Sequence, residues 1–144
     1  MAVAHILKQK GHAVVTVQPS QTIKEVAEIL STKRIGAVVV LEKDGTIDGI
    51  VSERDIVRAL ATEGAAALSR TVFDIMTHDV FTCTPRDTEA ELMTMMTENR
   101  IRHLPVIENG KLAGMISIGD LVKFRIESIE REAEEMKSYI ASAG

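Results

Sequence analysis

The sequence predicts an α/β protein made of two copies of one strand–helix–strand–strand–helix unit, followed by a long C-terminal helix. Three observations carry this. Val14-Val15-Thr16-Val17-Gln18-Pro19 returns 66 residues later as Val80-Phe81-Thr82-Cys83-Thr84-Pro85. Thr22-x-x-Glu25, Arg34-Ile35 and Val40-x-Glu42 return in the same order as Thr88-x-x-Glu91, Arg100-Ile101 and Val106-x-Glu108. After one extra residue near Lys43-Asp44, Gly49-x-x-Ser52-x-x-Asp55 matches Gly114-x-x-Ser117-x-x-Asp120 at an offset of 65. Two copies are too few for a solenoid, so a face-to-face pair sharing one core is expected. The expected division is a first repeat with its N-terminal helix over 1–61, a linker over 62–71, a second repeat over 72–126 and a helical tail over 127–144.

Each element has its own local reason. A short helix is expected around Val3 to Lys10. The segment from Val14 to Val17 is β-branched and stopped by Pro19, which marks a strand before a turn. Thr22 and Glu25 have capping-box spacing, and Ile23, Val26, Ala27, Ile29 and Leu30 then recur at helical intervals. Leu92, Met93, Met95 and Met96 form the corresponding face of the second copy, where flexible methionines suit an adaptable core. Ala37-Val38-Val39-Val40-Leu41 is a continuous apolar run, the mark of a buried strand. Asp44-Gly45 and Asn109-Gly110 signal hairpins into partner strands over Thr46–Val51 and Lys111–Ile116. Ser52 and Ser117 then cap a second helix in each copy. Gly64-Ala65-Ala66-Ala67 reads as linker, with a short helix through Val72-Phe73-Asp74-Ile75-Met76 after it.

Composition narrows the function. The chain has 144 residues, 45% hydrophobic and 26% charged, enough to bury a core. Its net charge of −4 and its 3% aromatic content disfavour a nucleic-acid binder, which needs a basic surface and stacking platforms. No apolar run approaches the length of a membrane span, and the N-terminus lacks signal-peptide features, so a cytoplasmic protein without membrane contact is expected. One cysteine excludes an intrachain disulfide and a cysteine-rich zinc site; Cys83 reads as a small buried hydrophobe. His5, His12 and His78 read as surface residues, and histidine spacing gives no metal site. There is no nucleophile elbow, phosphate loop or dinucleotide fingerprint, so no enzyme is predicted.

The two Gly-x-x-Ser-x-x-Asp segments are the central feature. One reading is purely structural: Ser caps a helix, and Asp is favoured by the positive end of the helix dipole. The other is ligand binding. Glycine weakens an apolar strand unless something must approach closely, and an Asp at a strand-to-helix junction can accept both hydroxyls of a ribose. Spacing alone leaves both readings open.

With the Asp74-Ile75-Met76-Thr77 segment and Arg102-His103-Leu104-Pro105-Val106 added, the chain resembles a tandem pair of cystathionine-β-synthase (CBS) domains, a Bateman module, over roughly residues 1–126. The resemblance implies adenosine derivatives bound in the cleft between the copies, and a flat homodimer. It implies that Asp55 and Asp120 hold ribose hydroxyls, with Ser52 and Ser117 beside the ribose or phosphate. It implies that Thr16, Thr82, Ala37-Val38 and His103-Leu104-Pro105 line the adenine slot through backbone groups. Gly36-Ala37 becomes Arg102-His103 in the second copy, and Arg54 becomes Gly119. A nucleotide with its ribose on Asp120 is therefore expected to place its phosphate near Arg102, His103 or Arg54, where guanidinium forks suit phosphate.

The tail from Leu121 to Ile140 has an apolar stripe of Leu121, Phe124, Ile129, Ala133, Met136 and Ile140. It is expected to pack on its own domain or a dimer mate, or to dock another protein. The predicted function is a regulatory module that senses adenine nucleotides, AMP first and ADP, ATP or NAD(H) next, and signals to an unidentified regulated protein by conformational change. The rivals are a dimerising scaffold that binds nothing small and a small nucleotide-processing enzyme.

Overall fold

The computed structural model describes residues 2–143 and turns the sequence repeat into a repeat in space. Helix α1 (Val3–Lys10) precedes β1 (Thr16–Val17), α2 (Ile23–Lys33), β2 (Ala37–Leu41), β3 (Ile47–Ser52) and α3 (Glu53–Glu63). Two 3₁₀ turns, Gly64–Ser69 and Val72–Asp74, lead to α4 (Glu89–Asn99), β4 (His103–Glu108), β5 (Lys111–Ser117) and α5 (Ile118–Ala143). In the first repeat β1 pairs parallel with β2, and β2 antiparallel with β3. In the second, β4 pairs antiparallel with β5. The expected strand after Val80 shrinks there to a single bridge, Cys83 to Val106.

The caps form as the residue types dictate. Glu25 N–H donates to Thr22 Oγ1 at 3.1 Å and Thr22 N–H donates to Glu25 Oε1 at 3.3 Å, a full capping box. At α4, Thr88 Oγ1 accepts from Glu91 N–H at 3.1 Å. Arg34 and Arg100, matched in the repeat, both adopt φ of 53° and end α2 and α4 in the left-handed conformation. The one-residue difference between copies is a difference in turn length. Asn109 and Gly110 (φ 53° and 75°) form a two-residue turn between paired Glu108 and Lys111. The first hairpin needs one residue more: Glu42 N–H donates to Thr46 C=O at 2.9 Å across Lys43-Asp44-Gly45, with only Gly45 at positive φ.

The expected single shared core is replaced by two. Val17, Ile23, Val26, Val38, Val40, Val51 and Ile56 form one, and Cys83, Leu92, Met96, Leu104, Val106, Ile116 and Leu121 the other. Each is completed by the segment that precedes the other repeat. Val3, Ile6 and Leu7 of α1 pack into the second core, while Val72 and Met76 pack into the first. The sequence assigned α1 to the first repeat, but its apolar face lies on the second. Burying Leu7 completely contributes about 1.5–3 kcal/mol to that attachment. Nor is 62–71 a loose connection. Ala67 is fully buried in the first core, and Arg70 bridges Glu63 at 2.5 Å and Asp74 at 3.6 Å.

The repeated glycines serve this exchange: of the backbone or ligand that could need the room, the chain's own segments take it. A Cβ on Gly49 would lie 2.7 Å from both Met76 Sδ and the Thr77 carbonyl oxygen; one on Gly114 would lie 2.6 Å from Leu7 Cδ2. Close approach is required, but by the protein's own crossing segments.

Helix α5 buries Leu121 and Phe124 in the second core and is anchored by Arg125, whose Nε and Nη2 donate to the buried Glu89 carboxylate at 3.1 and 3.2 Å. From Ile129 to Ala143 every residue is exposed, so the tail does not pack on its own domain. Among the described residues no helix is long and apolar enough to cross a membrane.

Candidate functional site

The N-termini of α3 and α5 meet the ends of β2 and β4 between the repeats, and a cleft of about 530 Å³ opens there. Such a volume is in the range of small-molecule sites. The junctions are built alike. Gly36 C=O accepts from Glu53 N–H at 3.0 Å, and Arg102 C=O accepts from Ile118 N–H at 2.8 Å. Each strand end is thereby fixed to the first turn of the following helix, and Ser52, Asp55 and Ser117 are presented at the cleft.

Both structural caps exist. Ser52 N–H donates to Asp55 Oδ2 at 2.8 Å, and Asp55 N–H reaches back to Ser52 Oγ at 3.4 Å. Ser117 N–H donates to Asp120 Oδ2 at 2.8 Å, and Asp120 N–H to Ser117 Oγ at 3.2 Å. The capping geometry orients each carboxylate; it leaves Asp55 Oδ1 facing only Arg58 Nη1 at 3.5 Å.

The two motifs part company beyond that point. Of the residues expected to bind nucleotide, Gly36, Ser52, Arg54, Asp55, Arg102, His103 and Ser117 line the cleft. Asp120 does not. Lys10 Nζ, at the end of α1, donates to Asp120 Oδ2 at 2.5 Å and to Met115 C=O at 2.6 Å. Burial pushes the Asp120 carboxyl up, but the bonds from Lys10 and Ser117 outweigh it and hold the group below its usual 3.8. Arg54 and Arg102, expected to group with Asp120, line this cleft together with Asp55. Thr16, Ala37, Val38, Thr82, Leu104 and Pro105 also lie outside the cleft lining. Ala37, Val38, Leu104 and Pro105 are buried, because apolar strand interiors gain more from core packing than from facing a polar groove.

Several lining residues were not expected. Arg58 and Arg100 add charge, Glu53 and Asp79 oppose it, and Phe81 supplies an aromatic face. Four arginines meet three carboxylates here, so a cationic groove sits in a chain of net charge −4. Phe81 is 46% exposed although large and apolar. The Arg34/Arg100 match was a visible signal, but it reads equally as a helix end. His103 closes the seam between repeats, its ring 3.3 Å from where a Cβ on Gly36 would stand. Burial first, and then the charge of Lys10, hold this imidazole below 6.5. Cys83 is buried, and desolvation followed by the charge of Asp87 pushes its thiol up to about 12. Among the described residues no cluster of three His, Cys, Asp or Glu is placed to hold a metal ion.

Comparison with known proteins agrees with this geometry. The family model for the CBS domain matches twice, over residues 5–62 and 72–127. The crystal structure of the CBS-domain containing protein ATU1752 from Agrobacterium tumefaciens is similar at 50% identity and a TM-score of 0.85, covering 87% of this chain and 99% of that one. The CBS domain protein PAE2072 from Pyrobaculum aerophilum, complexed with AMP, is similar at 30% identity and a TM-score of 0.74, covering 83% and 89% of the two chains. The mitochondrial CBS domain-containing protein CBSX3 of Arabidopsis thaliana is 31% identical over 146 residues, which is 96% of this chain and 71% of that protein. Two copies of the fold, two family matches and relatives of nearly the same span have one explanation: the chain belongs to the CBS-domain family, with two repeats in tandem.

Proposed function

We propose that this chain is a non-catalytic regulatory module that binds an adenine nucleotide, AMP first and ADP, ATP or NAD(H) next, between its repeats. What supports the reading is that one cleft gathers Asp55 and Ser52, whose oxygens suit a sugar, with Arg54, Arg100 and Arg102, whose guanidiniums suit a phosphate. Asp55 accepts the ribose hydroxyls, Phe81 offers a face for the base, and the guanidiniums receive the phosphate. The similarity to the PAE2072 protein, whose structure holds AMP, supports the same ligand class. A ligand touching α3 from one repeat and the β4 end from the other binds the closed cleft better than the open one. That difference in affinity is what a regulator passes to its partner.

Calorimetric titration and thermal unfolding of the full chain with each nucleotide test the reading. A ligand at about 100 times its dissociation constant adds roughly 2.7 kcal/mol of stability. No heat and no shift in melting with any adenine nucleotide would leave a dimerising scaffold as the better account. Conversion of the added nucleotide, read by chromatography, would make the chain an enzyme.

A further inference from the structure

The exposed face of α5 holds an unused pattern. Val122, Ile126, Ile129, Ala133, Met136 and Ile140 alternate at spacings of four and three residues. That is a 3.5-residue period, the seam of a two-stranded coiled coil. The large members are open to solvent: Val122 46%, Ile126 51%, Ile129 56%, Met136 60% and Ile140 63%. The seam cannot turn inward. At about 100° per residue, Val122 and Ile126 lie on the side of the helix opposite Phe124, and Phe124 is buried in the second core. Packing the repeat therefore forces this stripe outward.

We infer that α5 pairs with α5 of a second copy of this chain, parallel and in register, through this seam. The flanking charges select that partner and that orientation. In a parallel pair, each residue just before a first seam position faces the residue five places on in the partner helix. Glu132 then meets Lys137 of the other copy on both sides of the seam, and Arg125, whose guanidinium grips Glu89, holds the position that faces Glu130 of the other copy. Reversing one helix with the whole seam overlapped instead sets Glu130 against Glu130 and Glu132 against Glu132. Like charges so placed disfavour the antiparallel pair. The tail carries Glu127, Glu130, Glu132, Glu134 and Glu135 against Arg131 and Lys137, which also disfavours an anionic membrane as the occupant. This inference does not depend on what fills the cleft.

The test uses the full chain. Ala133→Cys places a thiol at the centre of the seam, where only parallel, in-register helices bring the two copies within disulfide reach; the native Cys83 is buried and does not compete. Mild oxidation should give a covalent dimer on non-reducing gels. In sedimentation, Lys137→Glu should weaken the dimer about tenfold, and Glu132→Lys added to it should recover the loss. Ile129→Asp should stay folded by circular dichroism and, combined with Ala133→Cys, lose the disulfide-linked dimer. A monomeric wild type, no disulfide-linked dimer from Ala133→Cys, or a disulfide-linked dimer that survives Ile129→Asp would each overturn the inference.

Discussion

Lys10 at the end of α1 bonds Asp120 at 2.5 Å, while Met76, the residue 66 positions further along, is buried in the first core against Gly49. The same position in the two copies thus carries a cation bonded to Asp120 in one and an apolar side chain buried in the core in the other. Asp55 is left facing the cleft, and Asp120 is occupied from within the chain. On the proposed function, the wild type binds one nucleotide per chain, on Asp55. Lys10→Met copies the first repeat into the second and frees Asp120. Calorimetry should then show a second binding event, and an unchanged stoichiometry would separate Asp120 from nucleotide binding.

Sugar and phosphate recognition rest on different side chains, Asp55 on α3 and Arg102 beside β4 among them, so they separate by mutation. Asp55→Ala removes the ribose acceptor and should weaken AMP and adenosine alike, by about 10- to 100-fold for a charged hydrogen bond. Arg102→Ala should weaken AMP by a similar factor and leave adenosine nearly unchanged, because adenosine has no phosphate. Equal losses for both ligands in the Arg102 variant would place the phosphate elsewhere.

Acid stability reports on the Lys10–Asp120 pair. The folded carboxyl lies below its unfolded value near 3.8, so the folded state binds this proton more weakly than the unfolded chain does. Its stabilisation is present above that value and is lost as pH falls through the folded value. Lys10→Met removes the bond and charge that hold the group down. The acid-unfolding midpoint, followed by circular dichroism, should move to higher pH in the variant. A midpoint that stays in place would mean that the pair adds no net stability.

The two close-approach glycines should not be equally costly to fill. At Gly49 an added Cβ meets the Thr77 carbonyl, which already accepts from Ile50 N–H at 3.1 Å, so backbone must move. At Gly114 it meets the end of the Leu7 side chain, which can rotate within its core. Gly49→Ala should cost about 1–3 kcal/mol in denaturant unfolding, and Gly114→Ala less. The reverse order would show that α1 is held more rigidly than the Met76–Thr77 segment.

The repeat, the capped helices and the hairpins could be read from residue order because their causes are local. A Thr or Ser three residues before an acid makes a cap wherever it stands, and Asn-Gly makes a tight turn. Even the extra residue near Lys43 is spent within its own hairpin. The carboxylates of the two motifs, the Arg102-His103 pair and Arg54 were visible for the same reason. What no local rule could supply is which partners lie across space. Folding sent α1 to the second core and Met76 to the first, and that exchange put Lys10 on Asp120 and filled the space beside Gly49 and Gly114 with protein. It also gathered Arg58, Arg100 and Phe81, scattered through the chain, around Asp55. Those choices follow from burying the most apolar surface between distant segments, a property of the packed whole rather than of any stretch of sequence.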